Sequence, residues 1–153
     1  RRLKLLSSIT MVTIVLGIVL RKKIKNMNSD NKKMYDEAIV NLLDGIGNDY
    51  INWNKPFISN DEDTELRNKI RTESIAKFVA GLHVKPGRKF DKVIHDNSVW
   101  GFVAKTDGVH KGIPYNVGDV FKAASWSSPA KHVRGTIFTD NTNWYQWTGP
   151  NYL

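Results

Sequence analysis

Cysteine is absent from this 153-residue chain, which removes disulfide frameworks, thiolate catalysis and cysteine-ligated zinc together. Its absence leaves the compartment open, because a cysteine-free chain suits reducing and oxidising surroundings alike. Glutamate is absent after Glu73, so a carboxylate pair in the second half would have to come from Asp91, Asp96, Asp107, Asp119 and Asp140. None of these has the spacing of a recognisable acid/base pair. His83, His95, His110 and His132 are too scattered for a zinc site on one helix or hairpin. No Walker loop, dinucleotide fingerprint or nucleophile elbow occurs. No catalytic residue, metal or cofactor is assigned on this pattern, and a small-molecule substrate is not expected. The chain reads as a non-enzyme.

Charge of one sign is missing from the first 25 residues, which hold seven basic residues and no acid. Residues 26–75 carry a net −4 and residues 76–153 a net +5, within a total of +8. An excess of this size points to a polyanionic partner in general. Here its largest share brackets one apolar segment. The sequence also opens on Arg1 rather than methionine, which we read as processing, truncation or an unseen leader.

From Leu5 to Leu20 sixteen residues carry no charge, and ten of them are Leu5, Leu6, Ile9, Val12, Ile14, Val15, Leu16, Ile18, Val19 and Leu20. As a helix they span about 24 Å, short of a hydrocarbon layer of about 30 Å. Snorkelling of Lys4 and Arg21 would extend the span. At roughly −0.5 kcal/mol each, the ten apolar residues outweigh Ser7, Ser8, Thr10, Thr13 and Gly17. A buried helix, a cleaved signal peptide and an amphipathic surface helix are the alternatives. They are disfavoured by basic clusters at both ends, by the lack of a cleavage pattern and by the lack of a charged face. The expectation is a single-pass membrane anchor over residues 1–25 with the lipid membrane as a partner. Ser7, Thr10, Thr13 and Gly17 form a small-residue stripe for helix packing. Orientation stays open, with three basic residues before the core and four after it.

Residues 26–81 read as a helical stalk or hairpin. Lys22 to Lys33 is polar, and a first helix with Ala38, Ile39, Leu42, Leu43 and Ile46 is expected to end at Gly45 and Gly47. A loop from Asn48 to Asp61 leads to a second helix, marked by Ser59 and Glu62 at capping-box spacing and stopped by Gly81.

From His83 the pattern shifts to short β-like runs, giving a small β-rich domain over residues 82–153. Lys89 to His95 and Ser98 to Lys105 form a hairpin about Asp96-Asn97, and Val120, Phe121 and Lys122 supply a third strand. Thr106 to Pro114 is expected as loop, and Trp144 to Trp147 as a further strand. The predicted class is α+β: an N-terminal transmembrane helix, a helical linker and a small antiparallel β-sheet domain.

The most distinctive stretch runs Gly118-Asp119-Val120-Phe121-Lys122-Ala123-Ala124-Ser125-Trp126, then Pro129-Ala130-Lys131-His132-Val133-Arg134-Gly135. It resembles a C-terminal module of uncharacterised small proteins of large algal DNA viruses and tailed phages. The matching stretch covers Phe90 to Leu153. The resemblance implies a viral origin. With an anchor it implies a minor capsid or virion membrane protein at an internal membrane beneath the capsid.

Lys122, Lys131, His132 and Arg134 lie near Trp126 in sequence. Cations interleaved with an aromatic can hold phosphates and stack bases. The alternative is a core Trp126, a turn at Pro129 and solvated or paired cations. Two functions follow. The leading one is a membrane-anchored viral structural protein whose aromatic-rich domain docks on a capsid or other virion protein, through residues such as Trp100, Trp126, Trp144, Trp147, Tyr115, Tyr145 and Tyr152. The alternative is a membrane-tethered nucleic-acid-binding module.

Overall fold

A computed structural model describes the backbone of residues 2–55 and 62–153, and the side chains of these except 2–10 and 24–27. Helix α1 (Arg2–Trp53) is followed by α2 (Glu62–Gly81) and by nine strands from β1 (His83–Lys85) to β9 (Gly149–Pro150). The chain divides into two compact units, Arg1–Glu37 and Ala38–Leu153.

The first unit is helical throughout its described length. Its side chains from Val12 to Leu20 face solvent, among them Val12, Ile14, Val15, Leu16, Ile18, Val19 and Leu20. Among the described residues no helix is long and apolar enough to cross a membrane. The uncharged run of residues 5–20 lies between Lys4 and Arg21 and spans about 24 Å as a helix, short of the ~30 Å required. Thr13 and Gly17 dilute it, and Arg21, Lys22 and Lys23 end it. The expected transmembrane span, the single-pass location and the internal virion membrane are corrected by this finding. Leu5, Leu6, Ile9, Ser7 and Thr10 lie outside the residues with described side chains. Of the small-residue stripe, Gly17 has no heavy atom within 4 Å of where a Cβ would stand. The polar segment after Arg21 continues the helix instead of interrupting it, with Lys32–Asp36 (2.5 Å) and Lys33–Glu37 (3.9 Å) as i,i+4 ion pairs.

The second unit is built on a five-stranded antiparallel sheet in the order β1-β2-β3-β6-β7, where β2 is Phe90–His95, β3 Ser98–Ala104, β6 Asp119–Ala123 and β7 Pro129–Thr136. Period-two alternation sends successive side chains to opposite faces. One face carries Phe90, Phe102, Phe121, Ala123 and Val133, and Tyr115 packs on it. Tyr115 comes from the hairpin of β4 (Gly108–His110) and β5 (Ile113–Tyr115), in a segment expected to be loop. Lys111 and Gly112, with φ of 50° and 79°, close that hairpin, as a two-residue primed turn requires. His110 Nε2 lies 3.1 Å from the Pro129 carbonyl and ties the hairpin to β7.

The opposite face buries Val93, Val103 and Val120. The register shifts between Val93 and Ile94, whose partners are Gly101 and Val99, so Trp100 is the extra residue of a β-bulge. Its indole is 2% exposed and donates to the Gln146 carbonyl at 2.9 Å. Trp144 and Tyr145 stack edge-on against it. Tyr145 and Gln146 form β8, which pairs with β9.

The second half of α1 packs through Ala38, Ile39, Leu42 and Ile46. Gly45 and Gly47 do not end the helix, which runs on to Trp53. A Cβ at Gly45 would overlap the Tyr145 hydroxyl, and one at Gly47 would touch Val79 at 3.8 Å. The expected loop therefore begins after Trp53, and its residues 56–61 lie outside the described residues. Asp49 at the same end of α1 accepts the Trp147 backbone N–H at 2.7 Å. Phe78 of α2 stacks on Tyr50 (4.0 Å) and meets His95 of β2 (5.2 Å). Ser59, the expected cap of α2, lies outside the described residues.

Candidate functional site

Hydrogen-bonded registers place Lys85, Lys92, Phe102, Phe121 and Val133 opposite one another in turn. They form one row across all five strands, on one face. At the β6–β7 end the row is apolar, and Phe121 is sealed by Tyr115 and His110. Toward β1 it turns cationic. There a groove of about 350 Å³ opens, floored by Phe90 and Phe102 and walled by Lys85, Arg88, Lys89 and Lys92 on one side and Ser127 and Pro129 on the other. Among the described residues no carboxylate lines it.

The turn that carries Arg88 and Lys89 is fixed from beneath. Asp91, on the next strand and buried, accepts the Gly87 N–H at 3.3 Å and pairs with Lys105 at 3.3 Å. Lys105 also donates to the Gly87 carbonyl (3.1 Å), and its own N–H donates to the Lys89 carbonyl (2.9 Å). Backbone and side chain of Lys105 thus hold both ends of the turn. The four groove cations have no such partner: among the described residues the ion pairs are Lys32–Asp36, Lys33–Glu37 and Lys105–Asp91.

Trp126 stands at the tip of the β6–β7 turn, which is closed by Ala124 and Ser125 N–H groups donating to the Ser128 carbonyl at 2.9 and 3.2 Å. It is 49% exposed. The Lys92 ammonium sits between two aromatic faces, 4.6 Å from the Trp126 ring centre and 5.7 Å from that of Phe102. This arrangement positions one charge of the groove without neutralising it.

The cluster expected from sequence does not assemble as one site. Lys122 and Arg134 alternate to the other face of the sheet, where Lys122 donates to the Pro150 carbonyl (2.5 Å) and Arg134 to that of Asn151 (3.2 Å). Both approach the Tyr152 ring, at 4.2 and 5.8 Å. Burial first, and the Arg134 cation second, push the Lys122 ammonium below its ordinary pKa. Lys131 and His132 are exposed on β7, an edge strand. Pro129 opens that strand instead of making a turn. None of the five lines the groove; Trp126 lies beside it, next to the lining residue Ser127 and under the Lys92 ammonium. The groove cations Lys85, Arg88, Lys89 and Lys92 were not singled out by sequence, because a strand and a turn separate them. The available signal was alternation, which sets Phe90 and Lys92 on one face of β2; a regular hairpin about Asp96-Asn97 would place Lys92 opposite Gly101, and the bulge at Trp100 brings Phe102 there instead.

The aromatic surplus proposed for docking is mostly internal. Trp100 and Tyr115 are buried and Trp144, Tyr145 and Trp147 partly so, which leaves Trp126 and Tyr152 exposed. Among the described residues no group of three His, Cys, Asp or Glu side chains could hold a metal ion.

A family model described as "Family of unknown function (DUF7717)" matches residues 5–153. The chain belongs to the DUF7717 family. The family unit thus takes in the long helix as well as the sheet domain that bears the groove. No curated protein and no solved structure gives a significant match to this DUF7717 chain.

Proposed function

We propose that the sheet domain is a binding module for a phosphate-bearing polyanion, held in the groove between the 85–92 segment and the β6–β7 turn. The observation that carries this reading is four cations converging on one recess that, among the described residues, no carboxylate lines. Evenly solvated lysines on a surface tend to be interspersed with acids. Here the acid nearest in sequence, Asp91, points away to brace the turn. The exposed contact residue is Trp126, with the Lys92 ammonium over its ring, which favours an anionic ligand over a protein surface of mixed charge. Nothing in the arrangement positions a nucleophile or an acid/base pair, so the reading is one of binding.

The test is binding of an abasic phosphodiester oligomer to the full chain, followed by fluorescence anisotropy across salt concentrations. A single-stranded polyanion gives a slope of about −0.7 in log–log form per neutralised phosphate. Four contacts therefore predict a slope of roughly −3, or a loss of about 50-fold between 50 and 200 mM salt. Replacing Arg88 and Lys89 by Gln, both on an exposed turn, should halve that slope. Absence of binding at low salt, or an unchanged slope in the variant, would rule the groove out.

A further inference from the structure

The groove offers more than charge, and its shape selects among polyanions. We infer that its ligand is single-stranded nucleic acid, with one base stacked on the Trp126 ring and the adjoining phosphates on Lys85, Arg88 and Lys89; this rests on the polyanion reading above. Three observations lead there. First, Trp126 is half exposed on a turn tied by backbone hydrogen bonds, next to Ser127, which lines the recess, so an aromatic platform stands beside a cationic recess. Base stacking on such platforms tolerates any sequence, because every base has a π face. Second, the recess of about 350 Å³ has the scale of a small-ligand pocket and takes in a single unpaired nucleotide. The body of a duplex is too wide for it, and the groove cations sit on a turn and two strands, not on a helix or ribbon that could enter a major groove. Third, Lys92 is fixed between the Phe102 and Trp126 rings. A phosphate 5′ or 3′ to the stacked base would meet this ammonium without reordering it, which lowers the entropic cost of capture.

A simple phosphate polymer would use the cations and ignore the indole. The experiment therefore compares, on the full chain and at one salt concentration, a thymidine oligomer of about ten nucleotides, within the usual site size, with the abasic oligomer of the same length and with duplex DNA. The thymidine oligomer should bind roughly 5- to 150-fold more tightly than the abasic one, the range of one stacked base, and should quench tryptophan fluorescence. Trp126→Ala should bring the thymidine and abasic affinities together, and Trp126→Phe should restore part of the difference. Equal binding of the thymidine and abasic oligomers, or tighter binding of the duplex, would overturn the inference and leave the polyanion reading standing. Failure of every probe at low salt would overturn both.

Discussion

Two tryptophans of the sheet domain have opposite roles, and exchanging each for alanine separates them. Trp100 is 2% exposed, sits in the bulge of β3, and donates its indole N–H across the sheet to the Gln146 carbonyl at 2.9 Å. Its removal leaves a cavity beneath Trp144 and Tyr145 and breaks the link between β3 and the tail. Truncations of this kind cost about 3–5 kcal/mol, a large part of the ~5–15 kcal/mol that holds a domain of this size. The melting temperature should fall by on the order of 10–25 °C. Trp126 is 49% exposed and packs mainly on Lys92. Trp126→Ala should cost at most about 1 kcal/mol, the worth of an exposed cation–π contact plus a surface change. Trp100→Phe should fall between, losing about 0.5–1.5 kcal/mol for the hydrogen bond beyond a smaller packing loss. Urea melts followed by circular dichroism report all three. If Trp126→Ala destabilises as much as Trp100→Ala, Trp126 is a core residue and the platform argument collapses.

Two further outcomes bear on the same unit. Burial lowers the His95 pKa, against a smaller raising effect of Asp96, so the folded state prefers the neutral ring. The stability this gives is complete above the unfolded value of about 6.5 and is lost as pH falls below it toward the lowered folded pKa. Urea midpoints at pH 7.5 and 5.5 should show a drop that shrinks in His95→Gln, and an equal drop in both proteins would contradict the assignment. Gly45→Ala should destabilise by about 1–3 kcal/mol through overpacking against the Tyr145 hydroxyl, against a helix-propensity gain of up to ~1 kcal/mol. Tyr145→Phe in the same background should recover part of the loss. Stabilisation by Gly45→Ala alone would show that the helix and β8 do not meet as described.

What the sequence revealed depended on whether local pattern and tertiary packing agreed. Strands β2 and β3 were legible because Phe90, Val93, Ile94, Val99, Trp100, Phe102 and Val103 supply apolar runs on either side of Asp96-Asn97. The β4–β5 hairpin was not, since three-residue strands carry too few residues to show a period. Strand β7 hid behind Lys131 and His132, which are exposed because the strand lies at an edge. The length of α1 was misread at Gly45, where the missing side chain makes room for Tyr145 instead of stopping the helix. The apolar run before Arg21 weighs as a span on composition, whereas among the described residues no helix is long and apolar enough to cross a membrane. The groove escaped because its cations converge only once β1, β2 and the β6–β7 turn are folded together. Trp126 is the one residue of the sequence-derived cluster that lies next to the groove, through its contact with Lys92.

The row that crosses the sheet sets Lys85 directly opposite Lys92. Like charges in that position repel and weaken strand pairing, and a carboxylate at either site would serve the empty domain better. On the polyanion reading, the edge of this sheet is frustrated until an anion arrives, and occupancy would relieve the repulsion as well as add its own binding energy to the folded state. The docking of β1 on β2 and the filling of the groove would then be one equilibrium seen from two sides, and the protection of the β1–β2 amides against hydrogen exchange would report how full the groove is.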